Sequence, residues 1–306
     1  MILTVTLNTA LDLTYRVPAL VPHASHRVTQ VIERPGGKGL NVARVLDTLG
    51  YETVATGFAG GATGAVLRER LAELSTVRDA LVETAGPTRR TVAVVDTTTG
   101  DTTQLNEPGP TVTPEEWAAF RDRFTELLDG ARAVALCGSL PPGVHVGAYA
   151  ELVRAARAAG VPVLLDTSGE PLRRGIAARP DLVKPNAEEL AQLTGAREPH
   201  RATLDARRRG AHAVISSLGP EGLLAATPEG LWQAAPPGPV HGNPTGAGDS
   251  AVAGLLSGLI DATPWAVRLT RAVALSAATV LSPVAGEFDA AAYEDLLPKV
   301  TVREVS

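Results

Sequence analysis

Apolar and polar residues alternate over Ile2–Leu7 (ILTVTL), with β-branched side chains prominent, and this predicts a strand. Asn41–Gly50 (NVARVLDTLG) switches to helical spacing and stops on glycine. Tyr51–Gly57 then returns to a strand pattern. Ala133–Cys137 (AVALC) predicts a short buried strand, and Tyr149–Ala159 a helix closed by Gly160. VPVLLD (161–166) reads as a strand, Leu182–Lys184 as a short one, Glu188–Thr194 as a helix and His212–Ser216 as a strand. Strands alternating with helices of roughly 10–15 residues point to βαβ units and a mostly parallel sheet.

Two stretches break the rhythm. Residues 12–35 contain Tyr15-Arg16-Val17 and Arg27–Ile32 with proline and histidine between them. Residues 88–109 contain TRRTVAVVD, then TTTGD, then TTQLN, which is strand–turn–strand chemistry. Together they predict a small β appendage made of two insertions. The remaining segments, 1–11, 36–87 and 110–306, form the expected α/β core. The PPGP run (236–239) reads as a rigid loop.

Composition narrows the field. The 306 residues carry 28 Lys and Arg against 33 Asp and Glu, a net charge of −5, so a general nucleic-acid binder is not expected. The single cysteine, Cys137, excludes an internal disulfide and reads as a small buried residue in a reducing compartment. The start MILTVTLNTALD has no basic residues before its apolar stretch, so no signal peptide is expected. The apolar runs Ser250–Ile260 and Ala272–Gly286 fall short of the roughly 18 residues of a membrane span. A cytoplasmic location without a membrane partner is the expectation. The six histidines show no metal-ligand spacing.

The sharpest motif is Asn243-Pro-Thr-Gly-Ala-Gly-Asp-Ser250, which opens an apolar helix pattern. Unpaired N–H groups across Gly246, Ala247 and Gly248 would hold an anion such as a phosphoryl group, with Asp249 beside it. Read plainly, Asp249 is only a helix cap after a loop. The segment also fits Gly-x-Gly-x-x-Ala, but it lacks the preceding strand and the later acid of a dinucleotide fingerprint. A phosphate-binding P-loop is absent, because Gly37-Lys38 is followed by glycine.

Three further segments carry candidate chemistry. In Pro35-Gly-Gly-Lys-Gly-Leu-Asn-Val-Ala43, Gly36, Gly37 and Gly39 would let a ligand approach the backbone, with Lys38 and Asn41 facing it. The plain alternative is a turn with a solvated lysine. In Lys184-Pro-Asn-Ala-Glu-Glu-Leu190, Asn186 and Glu189 would share a helix face and organise a hydrated Mg²⁺, or else simply start the helix. In Cys137-Gly-Ser-Leu-Pro-Pro-Gly143, Ser139 would donate to a substrate at a strand end.

Taken in order, these segments resemble the ribokinase-like, or PfkB, family of carbohydrate kinases over essentially the whole chain. GGKGLNVA and NPTGAGDSAVAG look like its two signatures. KPNAEEL resembles its Asn-x-x-Glu segment, and Ser217-Leu-Gly-Pro-Glu-Gly222 its nucleotide loop. Thr88-Arg89, LNEPGP (105–110), CGSLPPG and Ala285-Gly-Glu-Phe-Asp289 look most like the phosphosugar branch of 1-phosphofructokinases and tagatose-6-phosphate kinases. One departure is Asn8-Thr-Ala-Leu-Asp12, where Thr9 replaces the usual proline and alters the stiffness of the turn.

The resemblance implies a three-layer α/β/α sandwich with a mostly parallel sheet and a small β-sheet lid that also clasps a homodimer. It implies that Asp12, Gly37 and Asn41 bind sugar hydroxyls. Lys38, Arg89 and Ser139 would address a phosphate already on the sugar. Lys184, Asn186 and Glu189 would serve ATP and Mg²⁺, Glu189 reaching the metal through water. Ser217, Gly219, Gly222, Gly246 and Gly248 would line the nucleotide site, with Asp249 as the base. The implied reaction moves the γ-phosphoryl of ATP to a primary hydroxyl of a ketohexose monophosphate. Fructose 1-phosphate leads as acceptor, with tagatose 6-phosphate and fructose 6-phosphate as alternatives. Arg89 favours a phosphorylated sugar, because its fork suits phosphate. A kinase for neutral sugars or nucleosides and a non-catalytic sugar-phosphate sensor are the competing readings. Asp249 is expected to keep an ordinary carboxylate pKa, since a helix N-terminus does not raise it.

Overall fold

The computed structural model describes residues 1–282 and 286–305. Ala285, part of one motif above, lies outside the described residues. The elements run β1 (Ile2–Thr6), β2 (Ala10–Val17), β3 (Gln30–Gly36), α1 (Lys38–Thr48), β4 (Thr53–Ala59), α2 (Gly61–Leu71), β5 (Val77–Asp79), β6 (Val82–Glu83), β7 (Arg89–Asp96) and β8 (Thr102–Asn106). They continue with α3 (Pro114–Leu128), β9 (Ala133–Cys137), α4 (Ala148–Ala158), β10 (Val163–Asp166), α5 (Gly169–Ala177), β11 (Leu182–Val183), α6 (Ala187–Thr194), α7 (Pro199–Arg208) and β12 (Ala213–Ser217). The chain ends with β13 (Leu223–Thr227), β14 (Gly230–Ala235), α8 (Ala247–Ile260), α9 (Trp265–Leu281), α10 (Ala290–Leu296) and β15 (Thr301–Val305).

The large sheet has the order β15-β14-β13-β12-β11-β10-β9-β1-β4-β5, with β6 pairing β4. Pairing is parallel from β5 to β12 and antiparallel at the β13–β15 edge. Helices cover both faces, so the parallel strands are buried on both sides. Strand β9 shows how. Val134 and Leu136 join one core with Phe120, Phe124 and Tyr149, whereas Ala133, Ala135 and Cys137 join a second core with Val252, Leu256 and Leu275. The second cluster seats α8 and α9, the helices of the two late apolar runs. The result is the expected three-layer architecture.

A separate four-stranded sheet has the order β3-β2-β7-β8, drawn from the two irregular stretches. Strand β2 starts at Ala10, and β2 and β7 run parallel from Ala10–Arg89 to Val17–Asp96. The departure at Thr9 is compensated locally: its buried hydroxyl donates to the Phe58 carbonyl, so a hydrogen bond fixes the turn where the ring is missing.

Chain direction makes a crevice. From β1 the chain proceeds toward β4 and β5; from β9 it proceeds the opposite way through β10, β11 and β12. Open parallel sheets bind ligands at such a reversal, beyond the carboxyl ends of the strands. Asn8, Ser139, Asp166, Lys184 and Ser217 lie at or just past the ends of β1, β9, β10, β11 and β12. No helix among the described residues is long and apolar enough to cross a membrane.

Candidate active site

The start of α8 places Asp249 in the first turn, 7% exposed. Gly246 caps the helix in the left-handed region (φ 85°), and a Cβ there would come within 2.6 Å of the Gly286 Cα. Only glycine therefore closes this turn without strain. The turn is less open than its sequence implies. The Ala247 N–H donates to the Pro244 carbonyl at 3.1 Å, while the N–H groups of Gly248 and Asp249 meet no acceptor among the described residues.

Asn41 donates its Nδ2–H to Asp249 Oδ2 at 2.8 Å, joining α1 to α8. Burial raises the Asp249 carboxyl to about 6; Lys38, the Asn41 hydrogen bond and Lys184 oppose the rise, and Asp166 adds to it. This corrects the expectation of an ordinary carboxylate. The helix terminus counts for less than the loss of water.

Asp166, unassigned in the sequence, holds two cations together. Lys38 Nζ is 3.1 Å from its Oδ1 and Lys184 Nζ 3.7 Å from its Oδ2, with the Asp166 side chain 1% exposed. Burial opposes the Lys38 charge, but Asp166, Asp249 and Glu189 outweigh it and hold the ammonium above its ordinary value. The only sequence signal for Asp166 is an acid ending VLLD at a parallel strand's carboxyl end. Cys137, next to this cluster, is fully buried, and burial raises its thiol well above the ordinary value, so it stays neutral.

Asn186 and Glu189 form a capping box. The Glu189 N–H donates to Asn186 Oδ1 and the Asn186 N–H to Glu189 Oε2, each at 2.8 Å. No cluster of three metal-ligating side chains occurs among the described residues. Mg²⁺ commonly binds through one or two carboxylates, waters and substrate phosphates, and Glu189 supplies one partly exposed carboxylate here.

Beside these groups lies a cleft of about 930 Å³, lined by Asn186, Ser217, Gly219, Gly222 and Gly248 and by the apolar Val240, Val273, Ala277 and Val280. Gly246 stands behind it against Gly286, and Lys184 Nζ is 3.5 Å from where a Gly248 Cβ would be.

The small sheet contributes the remaining residues. Asp12, Arg89 and Thr91 share one face by register. Burial raises the Asp12 carboxyl, against the pull of Arg44, a Thr91 hydrogen bond and Arg89. The glycines around the start of α1 pack closely against neighbouring groups. A Cβ on Gly36 would meet the Asp12 carboxyl at 2.0–2.2 Å, one on Gly39 the Thr6 hydroxyl at 2.4 Å, and one on Gly37 Thr6 Cγ2 at 2.7 Å. The Cβ side of each of these glycines is therefore filled by protein. Arg89 spends Nε and Nη2 on the Asn8 carbonyl at 3.3 Å, and Nη1 on Thr91 Oγ1 at 3.3 Å and the Glu107 carbonyl at 3.2 Å. Four of its five N–H groups are so engaged, leaving one on Nη2, so a bidentate fork is not presented in this state. Arg89 makes no ion pair among the described residues, and burial lowers its pKa. Behind Asp249, the buried Arg44 donates to the Gly286 and Pro35 carbonyls.

A family model described as "pfkB family carbohydrate kinase" matches residues 4–290. The tetrameric inhibited form of phosphofructokinase-2 from Escherichia coli is 31% identical, with 97% of this chain and 98% of that one covered at a TM-score of 0.89. The same enzyme in complex with fructose-6-phosphate superposes with a TM-score of 0.87 at 31% identity and the same coverage. A possible 1-phosphofructokinase from Thermotoga maritima is 29% identical, with 100% of both chains covered at a TM-score of 0.88.

Proposed function

The chain belongs to the pfkB family of carbohydrate kinases, a phosphotransferase acting on a sugar hydroxyl, and from that premise we propose its acceptor and the roles of its residues. The acceptor is a ketohexose monophosphate, with fructose 1-phosphate favoured and the donor MgATP. One observation carries this reading: Arg89 is a half-buried cation without an ion pair among the described residues, on the same face as Asp12. A phosphate returns more to such a charge than a neutral sugar hydroxyl does. The fructose-6-phosphate complex of the Escherichia coli relative supports fructose 6-phosphate as the second candidate, ahead of tagatose 6-phosphate.

In this reading Asp249 accepts the proton of the attacking hydroxyl, and Asn41 orients its carboxylate. The free N–H groups at the start of α8 and the ammonium of Lys38 face the migrating phosphoryl. Phosphoryl transfer has a loose transition state, so positioning and charge supply most of the catalysis. Asp12, Gly37 and Asn41 address sugar hydroxyls, while Arg89 and Ser139 take the resident phosphate. Lys184, Asn186, Ser217, Gly219, Gly222 and Gly248 take the nucleotide. Asp166 and Glu189 would hold Mg²⁺ through water, where its charge offsets that of the phosphates. The small sheet is the lid over the acceptor, closing out water.

The deciding experiment is ADP release with MgATP across fructose 1-phosphate, fructose 6-phosphate, tagatose 6-phosphate, fructose, ribose and adenosine. The expected result is a kcat/KM at least 100-fold higher for one phosphorylated ketose than for any neutral compound. Turnover of neutral compounds alone removes Arg89 from its role.

A further inference from the structure

Asn8 and Ser139 stand on either side of the crevice where the chain direction reverses, one just past β1 and the other just past β9. Asn8 is 7% exposed. Its Nδ2 lies 3.2 Å from the Pro108 carbonyl and 3.1 Å from Ser139 Oγ. A carbonyl only accepts, so Pro108 fixes the amide with its nitrogen toward both groups. The second N–H therefore goes to the Ser139 oxygen. With that oxygen accepting inside, the single hydroxyl proton of the exposed Ser139 is turned outward. The backbone carbonyl of Asn8 also accepts from Nε and Nη2 of Arg89, so one residue meets both groups, Ser139 through its side chain and Arg89 through its main chain.

We propose that the Asn8 side chain is a positioning group that turns the Ser139 hydroxyl proton, beside the Arg89 guanidinium, toward the phosphate already on the acceptor sugar. The inference rests on the reading of Arg89 and Ser139 given above. Two donors aimed at one place, one of them charged, favour an acceptor-rich group, and a phosphate oxygen fits where a sugar hydroxyl would gain less. A further feature agrees. Asn8 Oδ1 is buried without a partner among the described residues, against Gly109, where a Cβ would come within 2.3 Å. Asn8 is thus held for its two N–H groups at the expense of its acceptor, and buried orphan acceptors of this kind mark positions with a role beyond packing. The side chain also joins the core to the strand exit of the lid, because Pro108 follows β8.

An aspartate at this place gives the sharpest test. Nearly isosteric, it can only accept in its ionised form; it would draw the Ser139 proton inward and set a negative charge beside the phosphate. Steady-state kinetics with fructose 1-phosphate and fructose 6-phosphate should show KM for the active phosphosugar raised about 10-fold by Asn8→Ala and about 100-fold by Asn8→Asp. KM for MgATP should stay within about twofold. In a double-mutant cycle, Asn8→Ala should add less than about twofold to Ser139→Ala, since the side chain acts through that hydroxyl. Phosphosugar KM values that stay within twofold in both variants, equal losses against both substrates, or full additivity with Ser139→Ala would each overturn the inference. A wild-type enzyme that turns over neutral sugars only overturns the reading beneath it, whereas wild-type phosphosugar turnover with unmoved variants overturns this inference alone.

Discussion

Burial sets both the reactivity and the cost of Asp249. With its carboxyl at about 6, it is a stronger base than a free aspartate and still about nine-tenths ionised at pH 7. Sugar kcat/KM should therefore fall about tenfold per pH unit below 6 and level off above 7. A flat profile between pH 5 and 8 would remove Asp249 as the base. The same shift fixes a stability effect. The native pKa lies above the ordinary value of 3.8, so the folded state holds this proton more tightly than the unfolded chain. Its contribution is fully present below 3.8 and is lost as pH rises through about 6, so at pH 7 the ionised form costs on the order of 2–3 kcal/mol. Asp249→Asn should lower kcat at least 100-fold while raising Tm at pH 7, since the new amide oxygen still accepts from Asn41. A variant melting below wild type at pH 7 would refute the burial argument. Gly246–Asp249 was legible in the sequence because two glycines before an apolar helix form a local pattern. Asp166, Asn8 and Arg44 were not. Their partners Lys38, Ser139 and Gly286 lie 128, 131 and 242 residues away, and each residue alone looks like strand or helix filler.

At the scale of elements, α6 joins two functions that the sequence offered as alternatives. The Asn-x-x-Glu spacing is both a helix start and a candidate metal approach, and the capping box realises the first without excluding the second. Substitution can separate them. Glutamine at the third helical position still completes a capping box, whereas alanine does not. Glu189→Gln should keep stability within about 0.5 kcal/mol of wild type, and Glu189→Ala should lose about 1 kcal/mol in urea unfolding. Both should raise the Mg²⁺ concentration needed for half-maximal turnover by about tenfold, because both remove the charge. A Glu189→Gln enzyme with an unchanged Mg²⁺ requirement would leave Glu189 a cap only. Other boundaries moved for local reasons. Helix α1 begins at Lys38 instead of Asn41, because Gly37 can cap it with φ 101° and the glycine-rich first turn carries no apolar period. The antiparallel β13–β15 edge was missed, since its strands interrupt the βαβ rhythm.

At the scale of the whole molecule, alternation of strand and helix was enough to read a layered parallel sheet, because each βαβ unit repeats one local solution. The irregular stretches announced a second sheet, but not its register, which depends on β2 pairing β7 more than seventy positions away. That register decides which side chains the small sheet exposes. Tyr15, Val31 and Val94 form one row across β2, β3 and β7, and Leu13, Val92 and Leu105 another across β2, β7 and β8 on the same face. Near the core this face is covered, with Leu13 at 8% exposure, but Val31 is 55% and Leu105 60% exposed. A small sheet with an apolar outer end and two open edge strands gains by covering both. We therefore expect a homodimer joined through the lids, near twice 31.7 kDa by light scattering at assay concentrations. Leu105→Glu and Val31→Glu place charges on that face without touching Asp12 or Arg89. Both should shift the mass toward the monomer while each subunit keeps its melting transition. Freed lids should close less completely, so phosphosugar KM should rise severalfold and sugar-independent ATP hydrolysis should increase relative to transfer. A wild-type monomer at assay concentration would refute the clasp. Dimeric charge variants would place the interface on another surface.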